Sequence, residues 1–138
     1  MTKNTQLFTL PIRVYFQDTD AGGVVYHASY LNFLERARTE WMRSFGITNA
    51  GLMKELGVVF VVRSLKLDYL KPALLDDLLS VSAQLKDIGR SRVTLHQTVT
   101  RGEDLLVEAE INLVSISLES FKPVSVPEVL RKQWKEDF

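Results

Sequence analysis

From Ser29 to Phe45 apolar side chains fall at every third or fourth residue, at Tyr30, Leu34, Ala37, Trp41 and Phe45, while Arg36, Glu40 and Arg43 lie on the other side. After Val58 that spacing gives way to alternation. Leu65, Leu67 and Tyr69 alternate with Ser64, Lys66 and Asp68; Leu79, Val81, Ala83 and Leu85 alternate with Ser80, Ser82, Gln84 and Lys86; Val93, Leu95 and Val99 alternate with Thr94, His96 and Thr98. Half-buried strands need a cover on one face, and one long helix of about 25 Å, at 1.5 Å per residue, is available to supply it. The pattern predicts an α+β chain, with a long helix lying against the concave face of a curved antiparallel sheet.

The remaining segments fit that plan. "FTLPIRVYF", Phe8 to Phe16, is rich in β-branched and aromatic residues and reads as a further strand, with Pro11 suggesting an edge or an early position. Gly46 stops the long helix, and "ITNAGLMKELG" predicts a short second helix ending at Gly57. The strand Val58 to Leu70 begins continuously apolar, as if its first half were covered on both faces. In the last strand Val107, Ala109, Ile111 and Leu113 are followed by Val114, Ile116 and Leu118 from the opposite parity, which implies a β-bulge or a change from one-sided to two-sided burial.

No repeat and no Gly-, Pro- or Ser-rich linker divides the 138 residues, so residues 1–138 are expected to form a single domain. Seventeen basic and seventeen acidic residues cancel, leaving no global field for a nucleic acid. The absence of cysteine excludes a thiol nucleophile, a thiolate metal site and a disulfide framework. The opening lacks the pattern of a signal peptide, and no run of about 18 apolar residues occurs, so no membrane span and a cytoplasmic location are expected.

The stretch "DTDAGGVVYHASY", Asp18 to Tyr30, stands directly ahead of the helix. A turn accounts for the glycines, with Asp18 and Asp20 capping it. A calcium loop fails because its twelfth position, where a bidentate Glu is needed, is Ser29. A phosphate loop fails for want of G-x-x-x-x-G-K. With only two distant histidines, no H-E-x-x-H and no cysteine, neither a catalytic metal nor another cofactor is expected. The chemical alternative is an oxyanion site: unpaired N–H groups of a first helical turn favour charge developing on a carbonyl oxygen, while a carboxylate attacks the carbonyl carbon or deprotonates a water. Acyl transfer to water suits Asp20, His27 and a helix N-terminus.

The string "VYFQDTDAGGVVYHASYLNFLERARTEW", with "FVVRSLKLDYLKPALLDDLL", resembles the hotdog-fold acyl-CoA thioesterases of the 4-hydroxybenzoyl-CoA thioesterase type, most closely the branch encoded beside the Tol-Pal envelope genes. The similarity runs from about Arg13 to Leu118. It implies a single hotdog domain, a long central helix wrapped by a curved five-stranded antiparallel sheet, and an acyl-CoA or acyl-carrier-protein substrate. It also implies a homodimer or homotetramer, with protomers joined sheet edge to sheet edge and the active sites at that interface. The catalytic carboxylate carries over onto Asp20 and its polar partner onto His27, with oxyanion N–H donors at Tyr26, His27 and Ala28. Many relatives have a tyrosine four residues ahead of the catalytic Asp; this chain has Phe16 there, with Tyr15 beside it on the opposite strand face.

Asp20 is expected to act as nucleophile, through a mixed anhydride, or as general base, and the sequence leaves both routes open. Asp18 reads as a loop-capping acid. The turn "GRSR" offers Arg90, Ser91 and Arg92 as contacts for the phosphates of CoA. Arg63, which interrupts an apolar run, is expected to pair with a helix carboxylate such as Glu35, and His96 to be solvated. Trp41 and Phe45 read as core. The rival readings are a non-catalytic module that binds acyl thioesters or scaffolds lipid or envelope proteins, and a hotdog dehydratase, which releases no thiol.

Overall fold

The two periodicities become one long helix and a sheet. The computed structural model describes residues 7–137, with side chains through Trp134. In chain order the elements are β1 (Phe8–Arg13), a 3-10 turn (Phe16–Asp18), α1 (His27–Arg43), α2 (Asn49–Gly51) running into a π-helical segment (Leu52–Leu56), β2 (Val58–Tyr69), β3 (Leu78–Ile88), β4 (Arg92–Arg101), β5 (Asp104–Ser117) and α3 (Glu128–Asp137). The strands form one open antiparallel sheet in the order β1-β3-β4-β5-β2. This is the hotdog domain, with α1 on its concave face.

Tyr30, Phe33, Leu34, Ala37 and Trp41 of α1 are buried with Leu79, Val81, Val93, Leu95, Val107 and Ile111 of the strands. Each large apolar side chain so covered contributes about 1.5–3 kcal/mol. One polar group sits among them. The Gln97 amide donates to the Leu34 and Ser82 carbonyl oxygens at 3.0 and 2.9 Å, and its oxygen accepts from Arg38 at 3.1 Å. A fully satisfied buried amide of this kind fixes where the helix sits along the sheet. Burial also lowers the pKa of the Arg38 guanidinium.

Several boundaries differ from expectation. β1 ends at Arg13 rather than Phe16, because the Asp18 carboxylate accepts from Tyr15 N–H at 2.9 Å and turns the chain into the 3-10 turn. Asp18 is thus the capping acid that the sequence suggested. α1 spans His27–Arg43 instead of Ser29–Phe45, starting closer to the motif. The short second helix is present and stops at Gly57, whose φ of 63° is the left-handed conformation glycine adopts readily.

A bulge lies opposite the place where β5 changes parity. Val62 pairs with Leu113 and Ser64 with Asn112, so Arg63 is the extra residue in β2. It keeps Val58, Phe60 and Val62 on the same face as Leu65, Leu67 and Tyr69, although their numbers change from even to odd. In β5 itself the inward positions continue unbroken to Ser115, while Val114 and Ile116 are half-buried on the other face. Of the two alternatives, two-sided burial holds within β5. Arg63 is exposed and forms no ion pair among the described residues, which corrects the expected pairing with Glu35: a bulged residue stands outside the ladder and needs no buried partner.

The sequence reading assigned no element after β5, yet α3 completes the core. Val126, Leu130 and Trp134 are buried at four-residue intervals, and the Trp134 ring stacks on Trp41 with centroids 5.3 Å apart and planes 9° apart. No helix among the described residues is long and apolar enough to cross a membrane.

Candidate active site

The motif folds as a tight hairpin in front of α1. Thr19 bridges Val25, Asp20 N–H donates to Val24 O at 3.0 Å, and Gly23 N–H donates to Asp20 O at 3.1 Å. Gly23 has φ of 77°, so a side chain there would be strained. The Asp20 carboxylate accepts from Gly22 N–H at 2.8 Å and Val24 N–H at 3.3 Å, both through Oδ1. The turn geometry is therefore present, but it occupies one carboxylate oxygen. Oδ2 has no donor among the described residues, and Asp20 is exposed.

A second loop braces this hairpin from behind. Leu75 N–H donates to Gly23 O at 2.9 Å, Val25 N–H to Ala73 O at 3.0 Å, and Asp76 N–H to Val14 O at 3.1 Å. The Asp77 carboxylate holds the bracing loop by accepting from Leu74 N–H at 2.8 Å and from Arg101 at 2.7 Å. Arg101 also donates to Pro72 O at 3.3 Å, and its bond to Asp77 raises the guanidinium pKa further. Such a backbone-to-backbone brace fixes the hairpin without using the side chains of its motif.

At the helix start, Tyr26 supplies no side-chain cap. Tyr26 N–H donates to Asp18 O at 3.0 Å, and Ser29 N–H donates to Tyr26 O at 3.0 Å. The expected donor at Tyr26 is therefore corrected, since that amide is engaged inside the hairpin. The N–H groups of His27 and Ala28 have no acceptor among the described residues, and a helix dipole stands behind them.

A cleft of about 190 Å³ opens beside this turn, walled by His27, Tyr30, Tyr69, Lys71, Val24, Val25, Leu70 and Pro72. The His27 and Tyr69 rings lie 4.5 Å apart at 31°, and Tyr69 hydroxyl donates to His27 O at 3.3 Å. Tyr30 is buried; its hydroxyl accepts from Ala73 N–H at 2.9 Å, and burial pushes its pKa up. Lys71 pairs with Asp104 at 3.1 Å.

His27 thus lines the cleft and Asp20 sits on the adjoining hairpin without lining it. Tyr15 and Phe16 are both exposed outside it. Arg90, Ser91 and Arg92 lie elsewhere in the protomer. Arg101, at one end of β4, touches the bracing loop, whereas Arg92 begins the strand nine residues earlier, about 30 Å away at 3.3 Å per residue. Arg131 of α3 donates to Gly89 O and Arg90 O at 2.8 and 3.0 Å and fixes that far turn. His96 bonds Glu108 at 3.1 Å on the outer sheet face, away from the cleft. Among the described residues no three His, Cys, Asp or Glu side chains are grouped to hold a metal. Tyr69 and Lys71 were not singled out from sequence; the signal available was their place at the end of the strand facing the helix start.

Comparison with known proteins places the chain in a family. The model of the thioesterase-like superfamily matches residues 14–134. The chain is 42% identical over 134 residues to the acyl-CoA thioester hydrolase YbgC of Escherichia coli O157:H7, covering 96% of this chain and 99% of that one. It is 41% identical over 124 residues to the acyl-CoA thioesterase YbgC of Haemophilus influenzae, covering 90% and 91%. The crystal structure of a probable thioesterase from Bartonella henselae superposes with a TM-score of 0.84 at 35% identity, over 88% of this chain and all of that one (100%).

Proposed function

The chain belongs to the thioesterase-like superfamily, and on that premise we propose that it hydrolyses acyl-CoA thioesters, and acyl-carrier-protein thioesters of the same acyl groups, to the free acid and the thiol. The observation that carries the reading is that a half-engaged carboxylate, Asp20, lies on the hairpin that leads into α1, whose first N–H groups, of His27 and Ala28, have no acceptor among the described residues. The thioester carbonyl oxygen points at those amides, where one well-aimed donor lowers the barrier by about 3 kcal/mol. Asp20 Oδ2 either bonds the carbonyl carbon, expelling the thiolate and leaving a mixed anhydride that water hydrolyses, or takes a proton from the water that attacks. Either route returns the carboxylate and delivers one proton to the thiolate. His27 orients the thioester at the mouth of the cleft.

Assembly completes the site in this proposal. β2 has an open edge, and Val62, Leu65 and Tyr69 on its inward face are exposed in the protomer. Two copies paired antiparallel along β2 cover those side chains and give a homodimer, from which a homotetramer is built. Such a pairing brings the far end of the partner's sheet beside the cleft. The partner's turn at 89–92 then lies three strand spacings from β2, about 14 Å, instead of 30 Å within one protomer. That distance suits an extended pantetheine arm, so Arg90, Ser91 and Arg92 are proposed to hold CoA phosphates across the interface. A cytoplasmic address and a role beside the Tol-Pal system belong to the same reading.

Free-thiol release from short, long and aromatic acyl-CoAs tests the proposal, with Asp20→Asn beside the unaltered protein. A loss of about a thousandfold or more in kcat, with fold and oligomer retained, supports it. No thiol release from any substrate, or equal release by the variant, returns the chain to the binding-module reading. Single turnover in ¹⁸O water then separates the routes, because only the anhydride route can leave the label in Asp20.

A further inference from the structure

Tyr69 is the last residue of β2, is 44% exposed, and has no part in the chemistry above. It nevertheless makes two contacts with His27. Its ring lies against the imidazole at 4.5 Å, and its hydroxyl donates to the His27 carbonyl oxygen at 3.3 Å. The Tyr30 ring also stands 5.5 Å from it, itself fixed by the bond from Ala73 N–H to the buried Tyr30 hydroxyl. An exposed histidine in a first helical turn otherwise exchanges among staggered rotamers. A tyrosine in contact with both the imidazole and a buried ring restricts the imidazole to the rotamer that faces the cleft, and the hydroxyl ties the end of β2 to the turn that carries the His27 and Ala28 amides.

We propose that Tyr69 is a positioning residue that acts through His27, holding the imidazole toward the cleft by its ring and the helix start in place by its hydroxyl. The inference rests on the hydrolytic reading above. Because β2 is the open edge of the sheet, it also makes the end of that edge part of the site.

Tyr69→Phe keeps the ring and removes the hydroxyl, whereas Tyr69→Leu removes both contacts. The leucine variant is expected to lose about tenfold in kcat with KM within about twofold, and the phenylalanine variant to keep kcat within about threefold. The chain has two histidines, so imidazole NMR resonances are assigned with His96→Gln. In Tyr69→Leu the His27 signals are expected to shift and broaden while those of His96 stay in place. If the leucine variant fails to fold, Tyr69→Met serves in its place. An unchanged kcat with unmoved His27 signals overturns the proposal, as does a rise in KM alone, which marks Tyr69 as a plain wall of the cleft. Absence of thiol release by the unaltered protein is a different failure. It removes the hydrolytic reading first, and the positioning role falls with it even where the His27 signals still report the contact.

Discussion

The sheet has two edges, and they are built in opposite ways. β1 has six residues, carries Pro11 near its middle and alternates buried or half-buried with exposed positions. β2 has twelve residues, and Val61, Val62, Leu65 and Tyr69 are exposed along it. A short strand lacking one donor pairs poorly with a neighbour, whereas a long apolar one presents a ready template. Only the second edge carries a wall of the cleft. The contrast teaches that the edge left long and apolar is the one on the side of the candidate site, which is why the proposed pairing runs along β2.

The most direct way to break the contrast is to delete Arg63. Without the bulged residue, one half of β2 must turn its side chains to the other face. Either Val58, Phe60 and Val62 or Leu65, Leu67 and Tyr69 then point away from the core. Exposing two such side chains costs about 3–6 kcal/mol, a large share of the stability of a domain this size. Urea denaturation is expected to show an unfolding free energy lowered by that amount, or no cooperative transition. A deletion variant of unaltered stability would mean that β2 re-registers freely and that its edge is not specified.

Leu65→Asp sharpens the contrast with less damage. The side chain is 41% exposed in the protomer, so the protomer is expected to lose no more than about 1 kcal/mol. In a paired edge the same carboxylate is buried without a partner, and assembly is strongly disfavoured. Analytical ultracentrifugation is expected to give the protomer mass, and thiol release to fall by about tenfold or more because the far turn of the partner is lost. The matching change on the other edge, at exposed Thr9 of β1, is expected to alter neither. A Leu65→Asp protein that remains assembled and active refutes the pairing along β2.

How far the sequence foretold all this follows the range of the interactions involved. The α+β class, the long helix and the strands rest on local periodicity and composition, which Tyr30, Leu34 and Trp41, Val81 and Leu95, or the β-branched and aromatic residues of β1 display without reference to anything distant. Asp18 as a cap was legible for the same reason, because its partner Tyr15 is three residues away. The position of the bulge was half legible: a parity change was visible near Leu113, but its cause lay in Arg63 on another strand. α3 passed unassigned although Leu130 and Trp134 within it continue a four-residue spacing from Val126 just ahead of it, because so few positions are a weak signal beside a seventeen-residue helix. The roles of Tyr69 and of the bracing loop were not legible, since they come from contacts with residues about forty or more positions away in the chain. Within the motif, the separation of Tyr26 from His27 and Ala28 as donors required knowing that Asp18 O already faces the Tyr26 amide.

The outer face of the sheet offers the mildest test, on the side of β2 that edge pairing leaves in water. There Glu110 of β5 is paired across β2 with Lys66 and bonds Lys86 of β3, so one carboxylate links the open edge to the middle of the sheet. The Lys86 bond, aided by the charges of Lys86 and Lys66, holds the Glu110 pKa below its ordinary 4.5. A carboxyl whose folded-state pKa is depressed adds stability above the unfolded value, and that contribution fades as pH falls through the folded value. Glu110→Gln should therefore be slightly less stable than the unaltered protein near neutral pH, with the gap closing progressively below pH 4.5. The group is solvent-exposed, so the gap should also shrink in high salt. Thermal melts across pH and salt check both trends. A gap that stays constant with pH and salt would show that Glu110 acts by packing on the strand face instead of by charge, and that the polar face contributes nothing electrostatic to holding β2 in its register.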